Sequence, residues 1–211
     1  YLGDEGLADK IVLGQGPMDV LVTLTRLLLP PGSLLSGVSP QFTDMPLQAM
    51  QGSVRSHPVL LTGPRFEAGL APWMRAARLR PHVLFIDRPH NPTGQVLPLR
   101  DLETVVAECL GRGCWVIVDE AYGDYLPLEE SAVAVKRPNC IVTRSFSKAW
   151  GLAGMRVGYG LANDAALVQL LDRVRTPFNV NHAAQAAALA AWGDEAFMRQ
   201  GVAGTVRLRG V

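Results

Sequence analysis

The residues of this chain best suited to chemistry lie in the stretch 144–160, RSFSKAWGLAGMRVGYG. Lys148 follows a short apolar run that predicts a buried strand. Ser145 precedes the lysine by three residues, and Arg156 follows it by eight. An amine held near apolar walls and cations loses part of its proton affinity, so it can form an imine with an aldehyde. A hydroxyl and a guanidinium can hold a phosphate dianion. The stretch therefore predicts a pocket for an aldehyde that carries a phosphate.

The alternative for Lys148 is an ordinary surface lysine, since most lysines are exposed. The chain has only three lysines, however, and Lys10 and Lys136 each precede an apolar run, at the start of a predicted strand. Lys148 alone follows the end of a strand. In open parallel sheets ligands bind outside the carboxyl ends of the strands, so its position favours a functional role.

The elements that position this stretch alternate between strands and helices. Apolar runs predict strands over 11–13, 33–38, 53–61, 83–86, 114–118, 139–142 and 157–162. Apolar residues at helical spacing predict helices over 18–29, 102–110, 164–174 and 183–192. Strands that alternate with helices predict an α/β fold with a mostly parallel central sheet.

Other strand ends deliver further polar side chains. Asn91 lies in the loop after the strand at 83–86, and Asp119 and Tyr122 follow the strand at 114–118. The strand at 11–13 leads through Gly-Gln-Gly-Pro into a helix, whose first N–H groups lack partners and can bind an anion. Singly, each feature has an ordinary structural explanation, such as a tight turn, a helix cap or a half-buried aromatic. Their convergence at one sheet edge favours a binding site.

The composition of the 211 residues is that of an ordinary globular protein, with 48% hydrophobic and 18% charged residues. A net charge of +1 without a basic block argues against nucleic-acid binding, and no apolar run is long enough to span a membrane. The first ten residues carry no signal-peptide pattern. Cys109, Cys114 and Cys140 share no metal-binding or redox spacing, which predicts reduced core thiols of a cytoplasmic protein.

Three motifs together resemble one known family. NPTG at 91–94, DEAY at 119–122 and SFSKAWGLAGMRVGYG at 145–160 are similar, in order and spacing, to the class I/II aminotransferases of fold type I, which depend on pyridoxal 5′-phosphate. The resemblance extends over nearly the whole chain, and RTPFNV at 175–180 is similar to the histidinol-phosphate branch. It implies a cofactor-binding large domain over residues 1–211, with three α/β/α layers.

The resemblance implies catalytic roles for the matching residues. Lys148 forms the imine with the cofactor and moves the proton between substrate and cofactor. Asp119 pairs with the pyridine nitrogen and keeps it protonated, so that the ring can accept electrons. Tyr122 and Asn91 hydrogen-bond the ring hydroxyl and thereby lower the pKa of the imine.

The resemblance also implies how the cofactor is held. Ser145 and Arg156 bind the phosphate, together with N–H groups of Gly16 and Met18 at the start of the first long helix. The residue after Gly16 is a proline, which has no N–H to donate. The local pattern predicts a core position for Phe42, whereas the family match makes it the aromatic that stacks on the cofactor ring.

The family resemblance implies parts of a protein that have no match in this sequence. The N-terminal segment and the C-terminal small domain of the family have no counterpart here, including the Arg that binds the substrate carboxylate. The intact protein is expected to be a homodimer. It would transfer an amino group between an amino acid, typically glutamate, and a 2-oxo acid or phosphorylated ketone.

Two other functions remain open. A threonine-phosphate-type decarboxylase uses the same cofactor, and Phe42 stands where the histidinol-phosphate branch more often has Tyr. The chain could also be a non-catalytic fragment or regulatory module that binds the cofactor, because part of the family's active-site wall has no counterpart in it.

Overall fold

The computed structural model of the chain describes residues 5–209, apart from the side chain of Glu5. The first four and last two residues of the predicted large domain lie outside the described residues, as does part of the N-terminal stretch that lacks a signal-peptide pattern. Between residues 5 and 209, no helix is both long enough and apolar enough to cross a membrane.

A seven-stranded sheet forms the centre of the fold. Its strands are β1 (Ile11–Gly14), β2 (Leu34–Ser36), β4 (Arg55–Ser56), β6 (Val83–Asp87), β7 (Trp115–Asp119), β8 (Cys140–Ser145) and β9 (Gly158–Ala162). Their order is β1-β9-β8-β7-β6-β2-β4, and a separate two-stranded sheet contains β3 (Val38–Ser39) and β5 (Val59–Leu60). β9 runs antiparallel to both of its neighbours, β1 and β8, and the other neighbouring strands of this sheet are parallel to each other. Because β9 is reversed against both β1 and β8, the carboxyl ends of β1, β6, β7 and β8 share one edge.

Helices pack against both faces of the sheet. They are α1 (Pro17–Leu28), α2 (Asp44–Gln51), α3 (Leu70–Arg78), α4 (Leu99–Leu110), α5 (Ala165–Val174), α6 (His182–Trp192) and α7 (Glu195–Arg209). Alternate strand residues point to opposite faces: Ile86 and Val118 pack with α3 and α4, whereas Phe85 and Ile117 pack with α1, α2 and α5. The predicted three-layer α/β/α fold is confirmed.

Two predicted strands are each divided in the structure. The stretch 53–61 forms β4 and β5, which belong to different sheets. The break falls at Pro58, which has no N–H for a strand ladder. The stretch 33–38 divides at Gly37 into β2 and β3. A Cβ at Gly37 would lie 2.9 Å from the carbonyl oxygen of Phe85, so only glycine lets the chain pass there.

The sequence pattern does not predict α2, α3 or α7. Pro46 and Pro72 stand in the first turns of α2 and α3, where a missing N–H is tolerated, but their presence hides the helical pattern. In α7 the apolar side chains lack a regular stripe, and Met198 is the buried residue of that helix.

Candidate functional site

The shared edge at the carboxyl ends of β1, β6, β7 and β8 contains a cavity of about 240 Å³. Eight of the nine site residues predicted from the sequence line it: Met18, Phe42, Asn91, Asp119, Tyr122, Ser145, Lys148 and Arg156. The ninth, Gly16, lies against Arg156, because a Cβ at Gly16 would be 2.7 Å from Nη2 of that arginine. The structure therefore brings all nine predicted residues together.

A wider and shallower depression, of about 520 Å³, lies between Arg80 and Arg112 near the amino ends of β6 and β7. The guanidinium of Arg112 is paired with Glu108, at 2.6 Å. The depression lies at the edge of the sheet where parallel folds do not place their ligands, so we assign it no role.

Asp119, the last residue of β7, is a fixed and buried carboxylate at the cavity wall. Its Oδ1 accepts the hydroxyl of Thr143 at 2.8 Å and the N–H of Ala121 at 3.1 Å. The pKa of Asp119 is raised to about 6, mainly by burial; the two hydrogen bonds oppose this rise, and the nearby charges of Asp87 and Glu120 add to it. Ionised Asp119 is therefore unfavourable unless a cation faces it.

The raised pKa of Asp119 predicts a pH dependence of stability in the ligand-free protein. The carboxyl ionises near 3.8 when unfolded and near 6 when folded. Its stabilising contribution is thus complete below pH 3.8 and lost as the pH rises through about 6. We expect the unfolding free energy of wild type to fall over this window by on the order of 3 kcal/mol relative to Asp119→Asn. Denaturant titrations of both proteins at about pH 4 and pH 7 measure the difference, and identical pH dependences would contradict it.

Lys148 is held between two buried aromatic anchors. Phe146 and Trp150 are buried, and the ring of each contacts Trp192 of α6 at a centroid distance of 5.7 Å. The residue between them is turned outward, and Nζ of Lys148 lies 5.0 Å from the centre of the Tyr122 ring. An ammonium over an aromatic face is attracted by the ring quadrupole. The amine is therefore positioned at the cavity while the flanking residues remain in the core.

Two hydroxyls and a guanidinium form a polar corner at the same end of the cavity. Oγ of buried Ser145 accepts the N–H of Ser147 at 3.0 Å. Arg156 donates from Nη1 to the carbonyl of Ala153 at 3.0 Å and to Oγ of Ser147 at 3.4 Å. The first turn of α1 lies beside Arg156, and its N–H groups have no partners within the helix. This corner suits an anion.

Phe42 and Asn91 lie on separate loops of the opposite wall, but both loops are tied to one carboxylate. Oδ2 of Asp87 accepts the backbone N–H of Phe42 at 3.1 Å and that of Asn91 at 2.9 Å. The Phe42 side chain is half-buried: it packs against the core on the α1 face and also lines the cavity. The local expectation of a core position and the family-based expectation of a cavity position are compatible.

Three polar residues in or directly beside the cavity are not among those predicted from the sequence: Ser147, Thr143 and Asp87. Ser147 lies within the motif that contains Lys148, and Thr143 is two residues before Ser145, so strand alternation places it on the cavity face. Asp87 is a carboxylate directly after an apolar strand, just as Asp119 is. The alternation of side chains along a strand and the position of a residue at a strand end are therefore the sequence signals that identify these three residues.

Comparison with known proteins agrees with the sequence motifs. A family model for aminotransferases of class I and II matches residues 4–208. Histidinol-phosphate aminotransferase 1 of Thiobacillus denitrificans is 40% identical over 200 residues, which cover 93% of this chain and 51% of that protein. Histidinol-phosphate aminotransferase 2 of Nitrosospira multiformis is 40% identical over 206 residues, covering 93% and 50%. The chain thus spans about half the length of these relatives.

Solved structures show the same fold. Histidinol-phosphate aminotransferase from Sinorhizobium meliloti, in complex with pyridoxal-5′-phosphate, has a TM-score of 0.82 at 25% identity, with 92% of this chain and 53% of that one covered. Aspartate aminotransferase from Thermus thermophilus with maleate has a TM-score of 0.80 at 24% identity, covering 92% and 52%, and supports the fold alone. With a family match over almost its whole length and relatives at 40% identity, the chain belongs to the class I and II aminotransferases.

Proposed function

We propose that the chain is the pyridoxal 5′-phosphate-binding large domain of an aminotransferase of the histidinol-phosphate type. The complete protein would transfer an amino group between an amino acid, such as glutamate, and a 2-oxo acid or phosphorylated ketone. The observation that carries the proposal is a buried carboxylate, Asp119, which lines one cavity with the amine of Lys148 and the guanidinium of Arg156. The names of the relatives support the histidinol-phosphate type.

The residues of the cavity fit this cofactor. Burial raises the pKa of Asp119 and so disfavours its ionised form; a cation beside it, such as a protonated pyridine nitrogen, would stabilise the carboxylate. The corner with Ser145, Ser147 and Arg156 offers donors to a phosphate. Gly16 lacks the Cβ that would collide with Arg156.

Each residue then has a defined task. When bound, pyridoxal phosphate supplies an aldehyde for the amine and a ring that accepts electrons from the substrate. Lys148 would provide the amine and move a proton at the substrate Cα. Asp119, whose orientation is set by Thr143 and the Ala121 N–H, would hold the proton on the ring nitrogen. Tyr122 and Asn91 would hydrogen-bond the ring hydroxyl, and Phe42 would cover one face of the ring.

The loop before α1 would offer a phosphate fewer N–H donors than it would with a small polar residue at position 17. Pro17 is the first residue of α1 and has no N–H. The N–H groups of Gly16, Met18 and Asp19 remain as donors of this turn, and Arg156 supplies the charge. The guanidinium is therefore expected to contribute a large part of the affinity for the phosphate.

Gly16→Ala is expected to lower the affinity for pyridoxal phosphate about tenfold or more, because the new methyl group would displace Arg156 from its position. Charged hydrogen bonds are worth about 1.5–3 kcal/mol. Affinity for pyridoxal, which has no phosphate, should change little. Absorption titrations with both compounds measure the two affinities.

Gly32→Ala is the matched control for Gly16→Ala. Gly32 has a similar positive φ, 83° against 72°, but a Cβ there would meet nothing within 4 Å. Both variants place an alanine at a positive φ and so carry backbone strain, which at Gly16, with φ 72° and ψ 173°, costs about 1–3 kcal/mol of stability. An equal loss of cofactor affinity in both variants would show that strain, not displacement of Arg156, is responsible.

The proposed reaction is tested with the full-length protein that contains this chain, loaded with pyridoxal phosphate. Histidinol phosphate and 2-oxoglutarate should yield glutamate without release of carbon dioxide. Release of carbon dioxide from threonine phosphate would instead support the decarboxylase, for which Phe42 is the favouring residue. Cofactor binding without turnover of any amino donor would instead indicate a non-catalytic module that binds the cofactor.

A further inference from the structure

A second carboxylate, Asp87, lies beside Asp119 in the wall of the cavity. Asp87 ends β6 as Asp119 ends β7, and the two residues are partners in the parallel register of these neighbouring strands. Both side chains line the cavity, and Asp87 is only 4% exposed. Two buried acids in adjacent positions repel each other when ionised, so the pair is unfavourable without a positive charge close by.

The two oxygens of Asp87 have different surroundings. Oδ2 accepts the N–H groups of Phe42 and Asn91, as described above, and so joins two loops that belong to different parts of the chain. Oδ1 is buried and has no hydrogen-bond partner within the described residues 5–209. One oxygen therefore positions the loops, and the other is left to interact with a group that enters the cavity.

The nearest histidine does not satisfy this second oxygen. Nε2 of His90 lies 3.9 Å from Oδ1 of Asp87 but 2.9 Å from the carbonyl oxygen of Pro40, which can only accept a hydrogen bond. Nδ1 of the same ring lies 2.7 Å from Oγ1 of Thr93. Both ring nitrogens are thus engaged elsewhere. The other titratable groups that line the cavity are Asp119, Tyr122, Lys148 and Arg156.

We propose that Asp87 is a positioning residue of the cofactor site, which holds the Phe42 and Asn91 loops through Oδ2 and adds its negative charge to that of Asp119 to keep the ring nitrogen protonated. This inference rests on the proposed function, because it concerns the same bound pyridoxal phosphate. A cation at the ring nitrogen relieves the repulsion between the two carboxylates, and each carboxylate in turn stabilises the cation. The ring nitrogen would then be held by a pair of acids instead of one.

The decisive variant is Asp87→Asn, which keeps an oxygen acceptor for both loops and removes the charge. The holoenzyme is prepared with pyridoxal phosphate labelled with ¹⁵N in the ring, and the nitrogen chemical shift is followed against pH. We expect the pKa of the ring nitrogen to fall by about one unit, a tenfold loss of proton affinity. Asp9→Asn makes the same change on an exposed residue before β1, away from the cavity, and should leave the titration unchanged.

Asp87→Ala separates the two tasks of the residue, because it removes the acceptor as well as the charge. Its affinity for pyridoxal phosphate should be at least about tenfold below that of Asp87→Asn, since the loss of two hydrogen bonds releases both loops. Equal affinities in the two variants would overturn the positioning role.

An unchanged nitrogen titration in folded Asp87→Asn would overturn the charge role. If Asp87→Asn does not fold, the charge role is tested with Asp119→Asn, in which Asp87 is still charged. The ring nitrogen of this variant should keep a pKa above that of the free cofactor in the same buffer. A lower value would overturn the inference. If wild type itself binds no pyridoxal phosphate, the proposed function fails, and this outcome is distinct from failure of the Asp87 role alone.

Discussion

In the full-length protein loaded with pyridoxal phosphate, replacement of Lys148 by alanine is expected to reduce the turnover of histidinol phosphate and 2-oxoglutarate by at least about 10²–10⁴-fold, the range that a positioned general base contributes. The loss should exceed that of any neighbour, because in the proposed function Lys148 supplies both the nucleophilic amine and the group that moves the proton. The contacts proposed for Asp119 and Arg156 would remain in this variant, so the cofactor should still bind. Turnover and cofactor affinity are therefore expected to respond differently.

Lys136→Ala is the matched control, since Lys136 is also exposed but lies before β8, away from the cavity. It should retain full turnover. Borohydride treatment of wild type loaded with the cofactor should add the cofactor mass to the peptide that contains Lys148, and this label should be missing in Lys148→Ala. Normal turnover in Lys148→Ala would refute the assignment of the catalytic amine.

The position of Lys148 illustrates what the sequence is able to predict. The strand before it, the strand that ends at Asp119 and the strand that precedes the Asn91 loop are continuous apolar runs, because each is buried on both faces of the sheet. Such runs are visible without a structure, and so are the polar residues at their ends. The motifs then supplied the roles, and the fold brings the predicted residues to one cavity.

The remaining features depend on contacts between distant parts of the chain. The direction of β9 is not visible in its own residues; the connection from β8 contains only the short 3₁₀ turn Ala153–Met155, without the helix that a parallel crossover usually needs. The hydrogen bond from Phe42 to Asp87 spans 45 residues. Neither local periodicity nor spacing predicts such a contact, although a carboxylate at a strand end marks the position.

The same alternation that turns Asp87, Asp119 and Ser145 towards the cavity turns the residues next to them to the other face. Arg88, Glu120 and Arg144 are buried there in a group of ion pairs. Glu120 contacts Arg88 at 2.8 Å and Arg144 at 3.0 Å, and its Oε1 accepts the N–H of Ala132 at 2.8 Å. The group therefore connects the ends of β6, β7 and β8 directly behind the site.

Glu120→Ala is expected to lower the free energy of unfolding by about 3–5 kcal/mol, because it leaves two buried guanidinium groups without their shared carboxylate. Arg88 and Glu120 are both 0% exposed, so water cannot replace the lost contacts. Arg88 would keep its contact with Glu130, and Arg144 would keep its contact with Asp124. The loss should therefore be large without abolishing the fold outright. Denaturant titration measures it.

Glu108→Ala provides the comparison, since Glu108 pairs with Arg112 on the partly exposed surface of α4, and such pairs contribute about 0–1 kcal/mol. If Glu120→Ala cost no more than Glu108→Ala, the buried group would have no special part in stability.

The expected large difference has a consequence for function, because Glu120 follows Asp119 directly. A release of the strand ends behind the site should weaken cofactor binding even under conditions where the protein remains folded, and the absorption titration of Glu120→Ala measures that coupling.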